Sequence, residues 1–168
     1  LTPHCRLDMS QADHFVPERG GDRLMDGHSG TWPNAIGPDG KKVDLTGFPP
    51  KSDRMQDYSV FKNQNEGWYA VTNPDRGIGL GLVYPVETFK YLWYWQSLGG
   101  GTGYPWYGRT YNIGLEPFTS YTNEGLANAI ENGSSLIVQA GQTVTSSLSA
   151  VAFEPHKGVS SISPAGRV

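Results

Sequence analysis

From Asp57 on, apolar residues recur at every second position, which is the period of a strand with one buried face. Three such runs are separated by turn-forming residues: DYSVFK from Asp57, GWYAVTN from Gly67 and GIGLGLVY from Gly77. The link between the last two runs, NPDRG, predicts a hairpin, because proline fixes φ early in the turn and the closing glycine accepts a positive φ. The pattern therefore predicts antiparallel sheets.

A strongly aromatic run, ETFKYLWYWQ, begins at Glu87 and shows the same alternation. One face of the predicted strand carries Phe89, Tyr91, Trp93 and Trp95, and the other carries Lys90, Leu92, Tyr94 and Gln96. Four aromatic rings on one face favour a place in the core. The alternative is an open platform on which a sugar ring stacks its C–H face.

A lone carboxylate follows on the next predicted strand. After the glycine-rich loop SLGGGTG, one face carries Tyr111, Ile113 and Leu115, and the other carries Thr110, Asn112, Gly114 and Glu116. Glu116 is the only acidic residue between Glu87 and Glu124. One carboxylate beside aromatic strands is typical of a site for a polar, ring-shaped ligand, and we predict a sugar. The loop itself lacks the GK[ST] ending of a phosphate loop.

The candidate site residues lie on these two strands. Glu116 is the candidate catalytic residue, and the candidate substrate-binding residues are Trp93, Trp95, Gln96 and Asn112. Trp95 and Gln96 are adjacent, so they must point to opposite sides of one strand. We expect Trp95 to face the ligand, because stacking on a sugar needs a large rigid surface, and Gln96 to be satisfied at the rim.

The first third of the chain predicts little regular structure. Residues 4–10 predict a short strand. Residues 11–56 are so dense in turn formers that only Lys42–Leu45 predicts another strand, and Trp32 and Phe48 are the expected anchors of this segment.

The last third predicts one helix and two strands. Leu126, Ala129 and Ile130 have helical spacing, with Asn123 as a possible cap. Strands are predicted at Ser134–Gln139 and Thr143–Glu154, and a poorly ordered tail at 155–168. We therefore predict an all-β chain with at most one short helix. It is a single domain, or the C-terminal part of one: residues 1–56 are loop-rich, 57–154 form an antiparallel β-sandwich, and 155–168 are the tail.

Composition and charge argue against two classes of binding partner. The 22 glycines and 12 prolines among 168 residues suit many strands joined by turns better than long helices. The 13 basic and 16 acidic residues form no run of like charge, which argues against nucleic acid and against a membrane surface as partners. Cys5 is the only cysteine, so no internal disulfide and no cysteine metal site can form. We expect a cytoplasmic protein with no metal and no cofactor.

The stretch YLWYWQSLGGGTGYPWYGRTYNIGLEPFTS, followed by a short helix and GSSLIVQAGQTVTSSL, resembles the C-terminal half of the galactose mutarotase-like (aldose 1-epimerase-like) superfamily. The resemblance covers roughly Gly67 to Phe153. It implies a supersandwich fold and a general base at Glu116, in the context GLEP. In that reaction the base takes the proton of the anomeric hydroxyl while an acid protonates the ring oxygen, so the ring opens and recloses on its other face.

The general acid of that family is a His in a motif such as H-x-Y-x-N. The four histidines of this chain, His4, His14, His28 and His156, lack those neighbours. The resemblance therefore implies an acid located before Leu1. It also implies that another polypeptide segment lies against the sheet, either the upstream half of the same protein or a second copy.

Three function classes are open at this point. They are an aldose 1-epimerase-like isomerase, a sugar-binding protein without turnover, and a glycoside hydrolase or lyase with Asp44, Glu87 or Glu124 as the second acid. A second carboxylate about 5–9.5 Å from Glu116 favours hydrolysis. A His across an open cleft favours epimerisation. The absence of both groups favours sugar binding without turnover. A structural role for Glu116, bonded to a buried amide or paired with Arg109, is the alternative to all three.

Overall fold

The computed structural model describes residues 1–18, 21–121, 124–155 and 158–168, and it confirms the predicted all-β class. Within these ranges the chain forms eleven strands and one short helix. The strands are β1 (Arg6–Met9), β2 (Asp13–Phe15), β3 (Ser29–Thr31), β4 (Asn34–Ile36), β5 (Lys42–Asp44), β6 (Met55–Lys62), β7 (Trp68–Asn73), β8 (Ile78–Val83), β9 (Tyr91–Leu98), β10 (Tyr111–Phe118) and β11 (Ser149–Phe153). Helix α1 spans Leu126–Glu131. Asn123 and His156 lie outside the described residues.

The strands form two sheets that pack face to face. The four-stranded sheet has the order β1-β7-β8-β11, and the five-stranded sheet has the order β10-β9-β6-β2-β3. Neighbouring strands pair antiparallel in both sheets, and β4 pairs separately with β5. The hairpin predicted between β7 and β8 is present, and Gly77 has a φ of 64°.

The core lies between the two sheets. Leu7 and Leu82 of the four-stranded sheet belong to one apolar cluster with Phe61, Leu92 and Leu98 of the five-stranded sheet. Burial of each such side chain stabilises the fold by about 1.5–3 kcal/mol. This packing fixes which residues of β9 and β10 point away from the core.

The alternation along β9 turns most of its aromatic face outward. The fully buried residues of β9 are Leu92, Tyr94, Gln96 and Leu98 on the core side, together with Ser97. Tyr91, Trp93 and Trp95 are half-buried on the opposite face, and Phe89, which precedes the strand, packs against the core. The expectation that the aromatic face is core is therefore wrong for the strand itself, because Leu92, Tyr94 and Leu98 already fill the space between the sheets. We call the side with Trp93 and Trp95 the outer face.

The first 56 residues contain more strands than predicted. β2 pairs with β6 and β3 pairs with β2, so this segment widens the five-stranded sheet. The expectation of a single strand at Lys42–Leu45 is wrong for β2, β3 and β4, because pairing with β6 and β5 imposes extended structure on turn-rich sequence. Trp32 and Phe48 are buried, as predicted for anchors, with exposures of 9% and 5%.

Residues 134–148 form no strand. Of the two strands predicted here, only Ser149–Phe153 is present. The predicted turn is also present: the Gln142 amide donates to the Gln139 carbonyl at 2.9 Å, and Gly141 has a φ of 78°. A strand requires a neighbour for its ladder of hydrogen bonds, and in the described part of the chain this segment has none.

The C-terminal tail folds back onto the four-stranded sheet, so the expectation of a poorly ordered tail is wrong for residues 158–168. Val159 and Ile162 are buried against Trp68 on the side away from the core. A Cβ built at Gly81 of β8 would lie only 2.4 Å from Ile162, so the bare glycine lets the tail reach the backbone of the strand.

Candidate functional site

The Glu116 side chain lies on the outer face, on edge strand β10. Its register partner on β9 is Trp93, and Gly114 is opposite Trp95. Directly opposed residues of an antiparallel pair point to the same side of the sheet. The structure therefore brings the predicted carboxylate and both predicted tryptophans onto one face.

The Glu116 carboxylate turns back over Gly114. A Cβ built at Gly114 would lie 2.5 Å from Oε1 of Glu116, so the missing side chain leaves the space that the carboxylate occupies beside Trp95. Glu116 is exposed and forms no ion pair with a described cation. Arg109, its proposed structural partner, instead lies over the Tyr107 ring at 6.0 Å.

Trp93 is held rigidly by its neighbours. The Phe118 ring stacks on it with centroids 3.8 Å apart and planes 7° apart. The Tyr58 ring meets it edge-on at 5.8 Å, and the indole N–H donates to the Ser120 carbonyl at 2.9 Å. One face of Trp93 is thus occupied by protein.

Trp95 has fewer ring contacts than Trp93 among the described residues. Among the described residues its ring neighbour is Trp106, with centroids 5.1 Å apart and planes 47° apart. Trp106 follows the glycine-rich loop and is 38% exposed. The two tilted rings form an apolar corner next to the Glu116 carboxylate.

Asn112 and Gln96 lie on opposite faces of the sheet. Asn112 is exposed on the outer face, four residues before Glu116. Gln96 is fully buried on the core side, where its Oε1 accepts a hydrogen bond from Nη2 of Arg23 at 2.8 Å. Gln96 is therefore not at the rim as expected, because the residue next to an outward-facing Trp95 must point into the sandwich. Asn112 stays in the candidate site and Gln96 leaves it.

An open cleft lies between the outer face and helix α1. It has a volume of about 430 Å³ and contains the rings of Phe15, Tyr58 and Tyr121. A cavity of 280 Å³ continues it along Phe15, Val60 and Tyr121. Carboxylate and amide side chains complete the lining: Glu18, Glu124, Asn128, Glu131 and Asn132. We call the two cavities together the outer cleft, and Tyr58 connects it to Trp93.

Two tyrosine hydroxyls near Glu116 stay protonated at neutral pH. Burial raises the pKa of Tyr58, and the negative charge of Glu116 raises this pKa further. The same two causes raise the pKa of Tyr69, whose hydroxyl donates to the Leu115 carbonyl at 3.1 Å. Both groups are therefore hydrogen-bond donors at neutral pH.

The described histidines lie away from Glu116. His4 bonds Asp75 at 3.0 Å beyond the end of β7, and His28 lies beside His14 with ring centroids 5.9 Å apart. His14 is buried on β2, which is three strands from β10. Three strand spacings amount to about 14 Å. In the described ranges, no His therefore faces Glu116.

The three candidate second carboxylates also differ in position. Asp44 is on β5 and accepts the Thr46 amide at 2.9 Å, and Glu87 is exposed between β8 and β9. Glu124 lines the outer cleft and accepts a bond from Asn128 at 2.8 Å. Of the three, Glu124 is the one at the outer cleft.

Comparison with protein-family models, with curated proteins and with solved structures finds no match to this chain. Function is therefore argued from the geometry of the outer face and the outer cleft.

Other features of the described residues add no second candidate. No group of three or more His, Cys, Asp or Glu side chains is placed there to hold a metal ion. The helix within these ranges is too short to cross a lipid bilayer. A larger cavity of 710 Å³ lies under the C-terminal tail, but its aromatic residues Trp68 and Tyr84 are each 3% exposed and offer no open ring.

Sequence reasoning missed the outer cleft. The alternation in DYSVFK places Tyr58 and Val60 on one face, and this signal was available. Phe15 lies in a segment predicted to be irregular, and Tyr121 follows the last predicted strand of the site. The placement of these two rings depends on tertiary packing, which no local sequence pattern predicts.

Proposed function

We propose that this protein binds a carbohydrate on the outer face, with Trp95 stacked on the sugar ring and the Glu116 carboxylate accepting bonds from its hydroxyl groups. The observation that carries the proposal is the carboxylate placed over Gly114, beside Trp95 and the rigid Trp93. A pyranose has an apolar C–H face and a rim of hydroxyl donors. An indole face and a carboxylate complement these two surfaces.

Neighbouring groups extend the complementarity. The Asn112 amide supplies both a donor and an acceptor on the same face. The Tyr58 hydroxyl is buried beneath the outer cleft and has no hydrogen-bond partner among the described groups, so it is a donor that a ligand entering the cleft can satisfy. At about 430 Å³ the main part of the outer cleft falls in the range of small-molecule sites, and it adjoins the proposed site through the ring contact of Tyr58 with Trp93.

Calorimetric titration with a panel of neutral mono- and disaccharides tests the proposal. For the sugars that bind, Trp95→Ala and Glu116→Ala should each weaken affinity at least tenfold, because a hydrogen bond to a charged group contributes about 1.5–3 kcal/mol. Tyr104→Ala is the matched control, since Tyr104 is 83% exposed and lies outside the site. Its affinity should equal that of the wild type.

Gly114→Ala is the sharper variant because it removes no candidate group. The added methyl displaces the flexible end of Glu116 and should weaken binding as much as Glu116→Ala, with an unchanged melting temperature. The proposal is overturned if no saccharide binds, or if Trp95→Ala, Glu116→Ala and Gly114→Ala all bind as tightly as the wild type.

A second candidate is interconversion of sugar anomers, with Glu116 as the general base. It is favoured by the same carboxylate, which has no described cation as partner, and by the nearby Tyr58 hydroxyl, which stays protonated. The reaction also needs a general acid, and the described histidines do not supply one at this face. We propose that another polypeptide segment brings it.

Polarimetry with Glu116→Gln separates the two candidates. The amide keeps the shape and most hydrogen bonds of Glu116 but cannot take a proton, so catalysis should fall at least about a hundredfold while sugar binding changes only a few-fold. Wild-type binding without any change in optical rotation would leave carbohydrate binding as the function. An unaltered rate in Glu116→Gln would remove Glu116 from the mechanism.

We further propose that the protein works in the reducing environment of the cytoplasm. Its one cysteine, Cys5, is a free thiol and is 3% exposed. A buried thiol with no partner cysteine needs no oxidising compartment.

A further inference from the structure

The space between the two sheets is open along one side. β10 is the last strand of the five-stranded sheet and pairs with β9 alone. Between β10 and strands β8 and β11 lies an apolar groove of 320 Å³, whose lining includes Tyr69, Val71, Leu80, Leu82, Ile113 and Leu115. Leu80 is 56% exposed there. We call this the edge groove, and it leaves part of the core side of both sheets in contact with solvent.

Residues 135–148 form an exposed apolar segment, which we call the arm. Its apolar side chains are 40–71% exposed: Leu136, Ile137, Val138, Val144 and Leu148. One end is fixed by Ser134, whose hydroxyl donates to the Tyr121 carbonyl, and the other end continues into β11. The turn at Gln139–Gln142 is already formed, so the arm reverses direction there, and neither of its two halves pairs with a described strand.

The arm and β10 lack the features that normally prevent strand addition. Exposed sheet edges are usually protected by charged side chains or by a covering segment. No Lys, Arg, Asp or Glu occurs in residues 132–153, and none occurs in residues 110–115. Pro117 has no backbone N–H, so an added strand can pair with β10 only up to Glu116.

We propose that two copies of this chain exchange arms, with the arm of each copy added to β10 of the other and its apolar residues covering the edge groove. The occupant is a second copy because each chain has both an arm and an edge groove. Within the described residues, no other segment covers either of them. The exchange is two-fold symmetric and closes on itself, as in other domain-swapped dimers. Each arm then needs to supply only about 600–1,000 Å² of the 1,200–2,000 Å² buried in a stable interface.

The test is the mass of the full chain by light scattering over about a hundredfold range of concentration. We expect a dimer for the wild type. Ile137→Lys on the arm and Leu80→Lys in the edge groove should each give a monomer, because each buries a charge in an apolar contact. Leu126→Lys is the matched control: Leu126 is 70% exposed on α1, away from the groove, and this variant should remain a dimer.

A measurement on the wild type alone keeps the proposal falsifiable if a variant fails to fold. Hydrogen exchange at amides 111–116 and 135–148 should slow as the protein concentration rises. Protected arms in a protein that light scattering shows to be a monomer mean that the arm docks on its own chain, and a dimer without protected arms means that another surface joins the copies. Either result overturns the exchange, as does a wild-type monomer or a dimer that survives both lysine variants.

Discussion

Replacing Asp57 by Ala tests how the segment before β3 is attached to the core. Asp57 is fully buried on β6. Its Oδ1 accepts the backbone N–H groups of Asp22 at 3.1 Å and Arg23 at 2.8 Å, and its Oδ2 accepts Nε of Arg23. The Arg23 side chain is only 14% exposed and also donates to Gln96. One carboxylate thus binds a loop, a guanidinium and, through it, the core side of β9.

The expected loss of stability comes from the groups that lose their hydrogen-bond or ion-pair partner when the Asp57 carboxylate is removed. Without the carboxylate, the Arg23 charge stays largely buried without its partner, and two amides lose their acceptor. Removing one member of a buried ion pair costs about 3–5 kcal/mol. Total stabilities of domains are about 5–15 kcal/mol, so Asp57→Ala should remove a large part of the free energy of unfolding.

Urea unfolding, followed by tryptophan fluorescence, measures this loss. Asp39→Ala is the matched control, because Asp39 also pairs with a cation, Lys41, but the two side chains are 56% and 83% exposed. Surface pairs contribute little, so its unfolding midpoint should stay at the wild-type value. Equal midpoints for Asp57→Ala and Asp39→Ala would show that the buried pair contributes no more than the exposed one, and the reasoning would fail.

Two further predictions concern stability. Burial lowers the pKa of His14 below 6.5, and its Nε2 donates to the Asn34 carbonyl while Nδ1 has no partner among described groups. The unfolded chain therefore takes the proton first, so stability should fall by up to about 1.4 kcal/mol per pH unit as pH drops from 6.5 towards the folded pKa. In Gly67→Ala, the new Cβ would lie 1.9 Å from the Tyr84 carbonyl oxygen, so the variant should lose about 1–3 kcal/mol in urea unfolding.

Each of these has its own control. His14→Gln removes the titrating group, and its stability should not show the slope below pH 6.5 that the wild type shows. A slope that persists would assign the titration to another residue. Gly103→Ala is matched to Gly67→Ala, because a Cβ at Gly103 meets nothing within 4 Å. If both variants unfold at the same urea concentration, the contact with Tyr84 is not restrictive.

The period of two in the sequence was enough to predict the strands that have a full hydrophobic face. DYSVFK, GWYAVTN and GIGLGLVY correspond to β6, β7 and β8, and the relative facing of Trp95 and Gln96 follows from the same rule. Alternation does not say which of two faces is inner. On β9 both faces are rich in large residues, and the choice depends on Leu92 and Leu98 meeting the opposite sheet, which is a long-range effect.

Other features of the fold could not be predicted from local sequence patterns. β2 and β3 are three residues long each and exist because β6 offers an edge. The segment 135–148 has high strand propensity but no strand partner among the described residues, so propensity and structure disagree there. The carboxylate of the candidate site was predictable from its isolation in sequence, whereas its position over Gly114 depends on the side-chain conformation.

The contact between the C-terminal tail and the four-stranded sheet has a consequence for the order in which the protein folds. The buried Asp8 carboxylate of β1 accepts the Val159 amide at 3.0 Å, across 151 positions of the chain. The strands of the five-stranded sheet all lie between residues 13 and 118, so that sheet can assemble on the ribosome once these residues have emerged. The four-stranded sheet gains β11, the amide partner of Asp8 and the cover over Gly81 only when residues 149–162 have emerged. Formation of the five-stranded sheet can therefore precede completion of the four-stranded sheet.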